Sequence, residues 1–284
     1  MFRTVRILSC SLFATCLVSC GPASRGDGVP PDGPPQHGGS DAPSQTDTSR
    51  VYAHSATTLY KVDTTTFAAQ IVGDMSAGLG TQSMTDLAVD KNDNMVGITL
   101  NTLYNIDSQT GTVTLIKNLS ASASGFTSLS YIPADLNDPN SDDMLVSAND
   151  QGVAYKIDPA TGNATQLGTY GTVALGKVVS SGDLVGVRGL GIYATVNVGT
   201  QTNDYLAKID PATWKATPLG TGTGFKNIFG LGFWAGKFYG FVDGGSGAGK
   251  IIEIDQNTGL GTQVSSGTIR WYGAGVTTNA PIIE

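Results

Sequence analysis

Apolar and polar residues alternate in five short segments of the chain, and each segment ends at an aspartate. In residues 103–106, Tyr104 and Ile106 point to one side and Leu103 and Asn105 to the other, as in a half-buried β-strand. In every copy a threonine follows the aspartate by three positions. The five pairs are Asp63 and Thr66, Asp107 and Thr110, Asp158 and Thr161, Asp210 and Thr213, and Asp255 and Thr258.

The Asp–Thr pairs predict hairpin turns. In residues 158–162, Pro159 sets φ near −65° and Gly162 accepts the positive φ that closes a hairpin. The aspartate can accept hydrogen bonds from turn N–H groups or from the threonine hydroxyl, so the pair is interpreted as structural rather than catalytic. Phe67 and Trp214 stand where the other turns have glycine, which predicts a different turn geometry for those two hairpins.

The spacing of the aspartates identifies a repeat. Successive steps are 44, 51, 52 and 45 residues, which overlaps the ~40–50-residue period of β-propeller blades. The segments between the hairpins supply two more strands per repeat. Small residues alternating with leucine predict inner strands at residues 86–89, 128–131, 174–177 and 230–233, with second strands at 95–98, 144–146, 184–187 and 238–241.

The first repeat lacks an inner strand, because it begins at residues that match the second strand of the others. Residues 272–276 have the inner-strand pattern with no hairpin after it, so they are expected to complete the first blade. The prediction is an all-β, five-bladed β-propeller with four-stranded blades, closed by the C-terminal strand. Closure removes open sheet edges, and a monomer is expected.

The N-terminal segment predicts export. Arg3 and Arg6 precede an apolar run at residues 7–18 that is too short to span a bilayer. Residues 17–21 then resemble the lipobox of bacterial lipoproteins, in which the signal is cut before a cysteine that carries acyl chains. The resemblance implies a signal peptide at 1–19, an acylated (palmitate-bearing) membrane anchor at Cys20 and, with Gly21 after it, the outer membrane. The alternative is an ordinary secretory signal cut nearby, which leaves a soluble protein.

Composition divides the remaining chain into a tether and a domain. Residues 20–49 are rich in Gly, Pro and Ser and hold almost nothing apolar, so they are expected to be a disordered tether. Residues 50–284 form the propeller domain. The net charge is −7, and it becomes −9 without the two arginines of the signal. Nucleic acid is therefore not an expected partner.

Residues 50–278 resemble the repeat propellers of the NHL, YVTN and quinoprotein-like families. The resemblance is carried by a strand followed by Asp-Pro-Ala-Thr-Gly at 158–162 and, with Trp214 in the glycine place, at 210–214. Quinoproteins of this kind have a docking tryptophan after the turn. The run after Gly162 lacks that tryptophan, so no quinone is expected.

Residues that could carry chemistry are sparse in the domain. His54 is its only histidine, so the histidine-rich metal clusters of some propeller enzymes cannot be assembled. No cofactor is predicted. A run of oxygen-bearing side chains in an insertion of the third blade could surround Ca²⁺, although solvated loops have the same composition. Its members are Asp135, Asn137, Asp138, Asn140 and Asp142.

Long loops predict where a ligand would bind. The predicted links between second and third strands are longest in the fourth blade, at 188–203, and in the fifth, at 243–249. They are expected to emerge on the face that carries the connections between blades. The hypothetical binding face comprises Arg188, Tyr193, Asp243, Arg270 and Trp271, and the alternative is flexible Gly-rich loops without a ligand. Asp86 either marks the channel mouth or bonds neighbouring backbone.

Three function classes fit these features. The first is a non-catalytic binding or scaffold module tethered to the outer membrane, with an unknown protein, glycan or small-molecule ligand. The second is a propeller lyase or hydrolase that uses carboxylates, with or without calcium. The third is a structural envelope protein without a small ligand. The scarcity of catalytic groups favours the first class.

Overall fold

A computed structural model describes residues 48–119, 123–246 and 248–279. The predicted signal peptide, the anchor Cys20 and nearly all of the tether lie outside the described residues. The regular secondary structure of the described residues is almost entirely β-strand, joined by turns and links. Its single helix, α1, spans Ser76–Leu79, and no helix within the described ranges is long and apolar enough to cross a membrane.

The strands form five sheets, each ordered from the axis outwards, and adjacent strands in each sheet are antiparallel. The first three blades take their strands from residues 51–169, except for β21, which comes from the C-terminal end of the described chain. The strands of the first blade are β21 (Gly273–Val276), β1 (Val51–His54), β2 (Thr58–Val62) and β3 (Ala69–Asp74); those of the second are β4 (Asp86–Val89), β5 (Met95–Ile98), β6 (Thr102–Ile106) and β7 (Val113–Asn118); and those of the third are β8 (Ser130–Pro133), β9 (Asp143–Ala148), β10 (Val153–Ile157) and β11 (Ala164–Thr169).

The last two blades follow the same order. The fourth contains a short additional strand, β12 (Thr172–Val173), then β13 (Gly176–Val187), β14 (Gly191–Val198), β15 (Tyr205–Ile209) and β16 (Ala216–Pro218); the fifth contains β17 (Ile228–Trp234), β18 (Lys237–Val242), β19 (Gly249–Ile254) and β20 (Gly261–Gly267). The described residues therefore form a five-bladed β-propeller, and the predicted fold class is confirmed.

The C-terminal strand closes the ring. β21 pairs with β1 from Val51 opposite Val276 to His54 opposite Gly273, which places Tyr52 opposite Gly275. This is the closure that the sequence predicts. It joins the two ends of the domain in one sheet, and it covers the inner edge of β1.

Five apolar cores lie between neighbouring blades. Each contains one equivalent residue, which lies in an inner strand or, for Leu129, directly before one: Leu87, Leu129, Leu184, Leu231 and Ala274, all at most 1% exposed. The leucines therefore pack between sheets, as predicted. The alternate positions are not all small or axial, because Ala88 packs into the core between the second and third blades and Ile132 into the core between the third and fourth.

The fourth blade differs from the prediction. Residues 184–187 were expected to be its second strand, but they belong to the inner strand β13, where Leu184 pairs with Ala194. The expected inner strand at 174–177 is instead the start of β13 and the turn that precedes it. Because β14 occupies Gly191–Val198, the predicted loop at 188–203 is also wrong, and the link to β15 is only residues 199–204.

The five Asp–Thr hairpins share one geometry. Each aspartate accepts the backbone N–H groups of the residues two and three positions later, at 2.7–3.2 Å. Phe67 and Trp214 adopt φ values of 59° and 62°, close to the 68° of Gly162. The predicted difference in turn geometry is therefore wrong.

Aromatic packing explains why bulky residues occupy these turns. A positive φ costs a non-glycine residue about 1–2 kcal/mol. Phe67 packs against Trp234 and Tyr239, with ring centroids 6.3 and 5.4 Å away. Trp214 is buried in the core between the third and fourth blades. Burial of such rings contributes more than the backbone strain costs.

Candidate functional site at the axial mouth

The propeller has two chemically different faces. The inner strands contact one another around the axis in the order β4, β8, β13, β17, β21. We call the face where they begin the entry face and the face where they end the exit face. Because strands alternate in direction within a blade, links between second and third strands and links between blades lie on the entry face.

The predicted binding residues divide between these faces. Asp243 follows the second strand β18 and Arg270 precedes β21, so both lie on the entry face. Arg188 directly follows the inner strand β13 and therefore lies on the exit face. Tyr193 is in β14 near the same end, buried against Phe238 at 4.6 Å between ring centroids. Of the five predicted binding residues, the structure brings together only Asp243, Arg270 and Trp271.

On the entry face Arg270 and Asp243 form a two-pronged ion pair. Arg270 Nε and Nη2 donate to the two carboxylate oxygens at 2.9 and 2.7 Å. These hydrogen bonds hold the pKa of Asp243 below its usual range. Trp271, next in the chain, is buried between Tyr60 and Phe241, with both centroids 5.6 Å away. Trp271 therefore belongs to the apolar core between the fifth and first blades and not to the exposed surface.

Two half-buried aromatic residues, Phe229 and Tyr272, lie beside this ion pair on the side nearer the axis. The Arg270 guanidinium carbon lies 5.6 Å from the centre of the Tyr272 ring, and the Phe229 ring is 6.4 Å from that of Tyr272. The side chain of Arg270 remains 48% exposed. We define the entry-face patch as Phe229, Asp243, Arg270 and Tyr272. Arginine and tyrosine beside a hydrophobic ring are typical of protein-binding anchors.

Below the patch, one ring of equivalent positions surrounds the axis. Each position lies one residue before the core residue of its inner strand: Asp86, Ser128, Asp183, Gly230 and Gly273. The two aspartates bond the neighbouring blades. Asp86 Oδ2 accepts the N–H of Leu129 at 2.8 Å, and Asp183 Oδ2 accepts the N–H of Leu231 at 3.0 Å. Each carboxyl group therefore links its own blade to the next blade through a hydrogen bond.

The two carboxyl groups also face each other across the axis, within hydrogen-bonding reach. Asp86 is 0% exposed and Asp183 is 1% exposed. Burial raises the pKa of both carboxyl groups well above the usual value, and the charge of Asp183 raises that of Asp86 further. Burial, followed by the charge of Asp183, also raises the pKa of Tyr170.

His54 completes the axial group. Its Nδ1 lies 2.7 Å from the carbonyl oxygen of Ser55, while Nε2 is buried without a hydrogen-bond partner among the described residues. Burial lowers the pKa of His54 to about 4, so the ring is neutral at pH 7. A Cβ atom on Gly273 would lie 2.4 Å from both His54 Nε2 and Asp86 Oδ1. Glycine at this position leaves room for both side chains.

The suggested calcium ligands lie on the exit face, in the link between β8 and β9. Asp135 Oδ1 accepts the N–H of Asn137, and Asp138 Oδ1 accepts that of Asn140, both at 2.8 Å. The Asp142 carboxylate is almost fully exposed and lies 3.6 Å from Lys91 Nζ. Within the described ranges no three His, Cys, Asp or Glu side chains are grouped to hold a metal ion.

A second polar group on the exit face is built around Asp143. Its carboxylate accepts hydrogen bonds from Arg188 Nη2 at 3.2 Å, from the Lys91 N–H at 3.1 Å and from Thr278 Oγ1 at 2.5 Å. These donors come from the fourth, second and first blades. Arg188 is thus part of a contact that holds blades together, and it is remote from the entry-face patch.

Sequence reasoning missed His54, Asp183, Phe229 and Tyr272 as members of the site. For Asp183 a signal existed, because Asp183 precedes Leu184 as Asp86 precedes Leu87. Misplacing the inner strand of the fourth blade concealed it. His54 and the two aromatic residues meet only through the closure of the ring, and no local pattern reveals that contact.

No protein-family model matches the chain, and no curated protein sequence matches it. Solved structures do match. One is the extracellular domain of a provisionally assigned hybrid two-component system from B. thetaiotaomicron, with 12% identity and a TM-score of 0.40; the match covers 77% of this chain and 26% of that one.

Two further structures have similar scores. The designed protein Ika8 is 17% identical with a TM-score of 0.34, over 78% of this chain and 60% of that one. A Bacteroides fragilis protein provisionally assigned as a 6-phosphogluconolactonase is 12% identical with a TM-score of 0.42, over 82% of this chain and 99% of that one. The chain thus spans less than two thirds of the length of the first two.

Proposed function

We propose that the protein is an outer-membrane lipoprotein whose propeller is a non-catalytic binding module, with the entry-face patch as its contact surface for another protein. The observation that carries this proposal is the composition of the patch. An exposed guanidinium, already oriented by Asp243, lies beside two half-buried aromatic rings. Pre-oriented side chains of these types lose little entropy on binding.

Burial of the axial acids supports binding rather than catalysis. A general acid or base must come within hydrogen-bonding distance of its substrate. His54, Asp86 and Asp183 are at most 1% exposed, and both carboxyl groups are engaged by backbone N–H groups of neighbouring blades. Their arrangement suits a role in holding the ring together.

The N-terminal sequence supports the membrane anchor. The lipobox-like residues 17–21 give Cys20 as the acylation site, and residues 21–49 would separate the propeller from the lipid surface. Multiple acyl chains on one cysteine give stable attachment, whereas a single chain binds only marginally.

Replacing Cys20 tests the anchor. We expect Cys20→Ser to abolish incorporation of labelled palmitate and to move the protein from the outer-membrane fraction to the soluble fraction. Cys16→Ser is the matched control, because Cys16 would leave with the signal peptide. Continued palmitate labelling of Cys20→Ser would contradict the proposed attachment.

Site-specific photo-crosslinking in intact cells tests the binding surface. A photoreactive residue at position 272 is expected to give a discrete crosslinked protein, and Arg270→Ala is expected to reduce its yield at least about tenfold, as at a binding hot spot. A probe at exposed Asn92, on the exit face between β4 and β5, is the control. Equal crosslinking from both positions, or none from position 272, would contradict the proposal.

A further inference from the structure

The axis contains two buried acids without a basic partner. Among the described residues no lysine or arginine forms an ion pair with Asp86 or Asp183. Two facing carboxylates cannot both remain ionised in a site of low dielectric unless a cation neutralises them. One shared proton satisfies this requirement, because a protonated carboxyl donates a hydrogen bond to its ionised neighbour.

The backbone contacts fix both carboxyl groups in place. Asp86 Oδ1 accepts the N–H of Leu87 at 2.9 Å, and Asp183 Oδ1 accepts that of Leu184 at 2.6 Å, in addition to the bonds to the neighbouring blades. All four oxygens therefore accept hydrogen bonds from peptide groups. Neither side chain can turn away from the other without breaking two of these bonds.

We propose that Asp86 and Asp183 share one proton on the propeller axis and that this proton acts as a latch between two pairs of blades. Asp86 joins the second blade to the third, and Asp183 joins the fourth to the fifth. The shared proton connects these two halves across the axis. Loss of the proton at alkaline pH places two negative charges in contact and loosens the ring.

The titratable groups around the pair are few. His54 faces Asp86 from β1, beside Gly273 of β21, and Tyr170 faces Asp183 from the link before β12. Both are neutral at pH 7, since the pKa of His54 is lowered to about 4 and that of Tyr170 is raised. Neither supplies a charge that could replace the proton.

The sign of the pH effect follows from the raised pKa of the pair. In the unfolded chain both carboxyl groups are ionised above about pH 4, whereas the folded protein retains a proton. Unfolding therefore releases a proton, and stability is lost as pH rises towards the pKa of the folded pair. The lowered pKa of His54 makes stability rise with pH between about pH 4 and 6.5. The pKa of Asp204, raised to about 6, makes stability fall as pH rises towards 6.

Above about pH 7.5 neither His54 nor Asp204 titrates appreciably in the folded or the unfolded state, so a pH slope that depends on Asp86 and Asp183 reports the axial pair. In denaturant titrations of the full chain, we expect the folding equilibrium constant to fall with rising pH, by up to about tenfold per pH unit while one proton is released. Asp86→Asn and Asp183→Asn are each expected to abolish this slope, because only one carboxyl group remains and no proton is shared between two. Each variant also loses one backbone hydrogen bond, since an amide nitrogen cannot accept a peptide N–H. Asp158→Asn, in an exposed turn, is expected to keep the wild-type slope.

Infrared spectroscopy of the wild-type protein supplies a readout that does not depend on any variant folding. At pH 7.5 the wild-type protein is expected to show the C=O band of a buried carboxylic acid, which disappears in Asp86→Asn. Absence of that band in the wild type would overturn the proposal, as would equal pH slopes in the wild type and both axial variants. A stoichiometric metal in the purified protein whose removal shifts stability would also overturn it, since a cation would then neutralise the pair.

Discussion

A chain that ends at Trp271 is expected to lack a stable fold. The truncation removes β21, which pairs with β1 along its whole length and packs against the inner strands β4 and β17. It exposes the edge of β1 and opens two interblade cores. We expect the loss to exceed about 5 kcal/mol, the lower end of the stability of natural domains. Loss of the cooperative thermal transition and rapid proteolysis are the measurements.

A longer truncation provides the matched control. A chain that ends at Asn279 keeps β21 and the bond from Thr278 to Asp143, so its thermal transition is expected to match that of the full chain. A synthetic peptide of residues 272–279 is expected to restore protease resistance to the shorter chain. A cooperative transition of the shorter chain at the wild-type temperature would show that the closing strand is dispensable.

The closure and most of the strands could be predicted because they depend on local patterns. Alternation over four residues, an aspartate at the strand end and a turn-forming sequence after it are all readable within about 15 residues. The inner strand of the first blade could be assigned by elimination, since residues 272–276 were the remaining segment with small residues in alternation. Such reasoning fails where a blade departs from the average.

The fourth blade shows why the remainder could not be predicted. Its β13 and β14 are much longer than their counterparts, and the pairing of β13 shifts between Ser180 and Leu184. Several registers of a valine-rich strand satisfy the same alternation, and only the neighbouring blades select one. The misassigned inner strand placed Leu175 in the core position, nine residues before the true one, whereas Leu175 is exposed and Leu184 is buried.

The candidate site depends on contacts that no sequence pattern encodes. Asp86 could be noted as an acid on an inner strand, but its partner Asp183 comes from two blades away. Arg188 follows the inner strand β13, whereas Arg270 precedes the inner strand β21. The direction of the inner strands therefore places these two residues on opposite faces. Positions on a closed ring become neighbours only when the number of blades and the register of every inner strand are known.

Trp234→Ala is expected to lower the free energy of unfolding by about 3–5 kcal/mol, the usual range for a buried tryptophan. The side chain is fully buried at the end of β17 and stacks on Tyr239 with ring centroids 3.9 Å apart. Its Nε1–H donates to the carbonyl oxygen of Thr64 at 3.1 Å, which joins the fifth blade to the first Asp–Thr turn. Denaturant titration of purified protein measures the change.

Two further variants separate packing from hydrogen bonding at Trp234. Trp234→Phe keeps an aromatic ring but leaves the Thr64 carbonyl without its donor, so a smaller loss of about 1–3 kcal/mol is expected. Ile71→Ala, at a residue that is 73% exposed on the outer strand β3, is expected to change stability by at most about 0.5 kcal/mol. If Trp234→Ala were as mild as Ile71→Ala, the contact between the fifth and first blades would not be a major source of stability. The ring would then depend on the pairing of β21 with β1 for its closure.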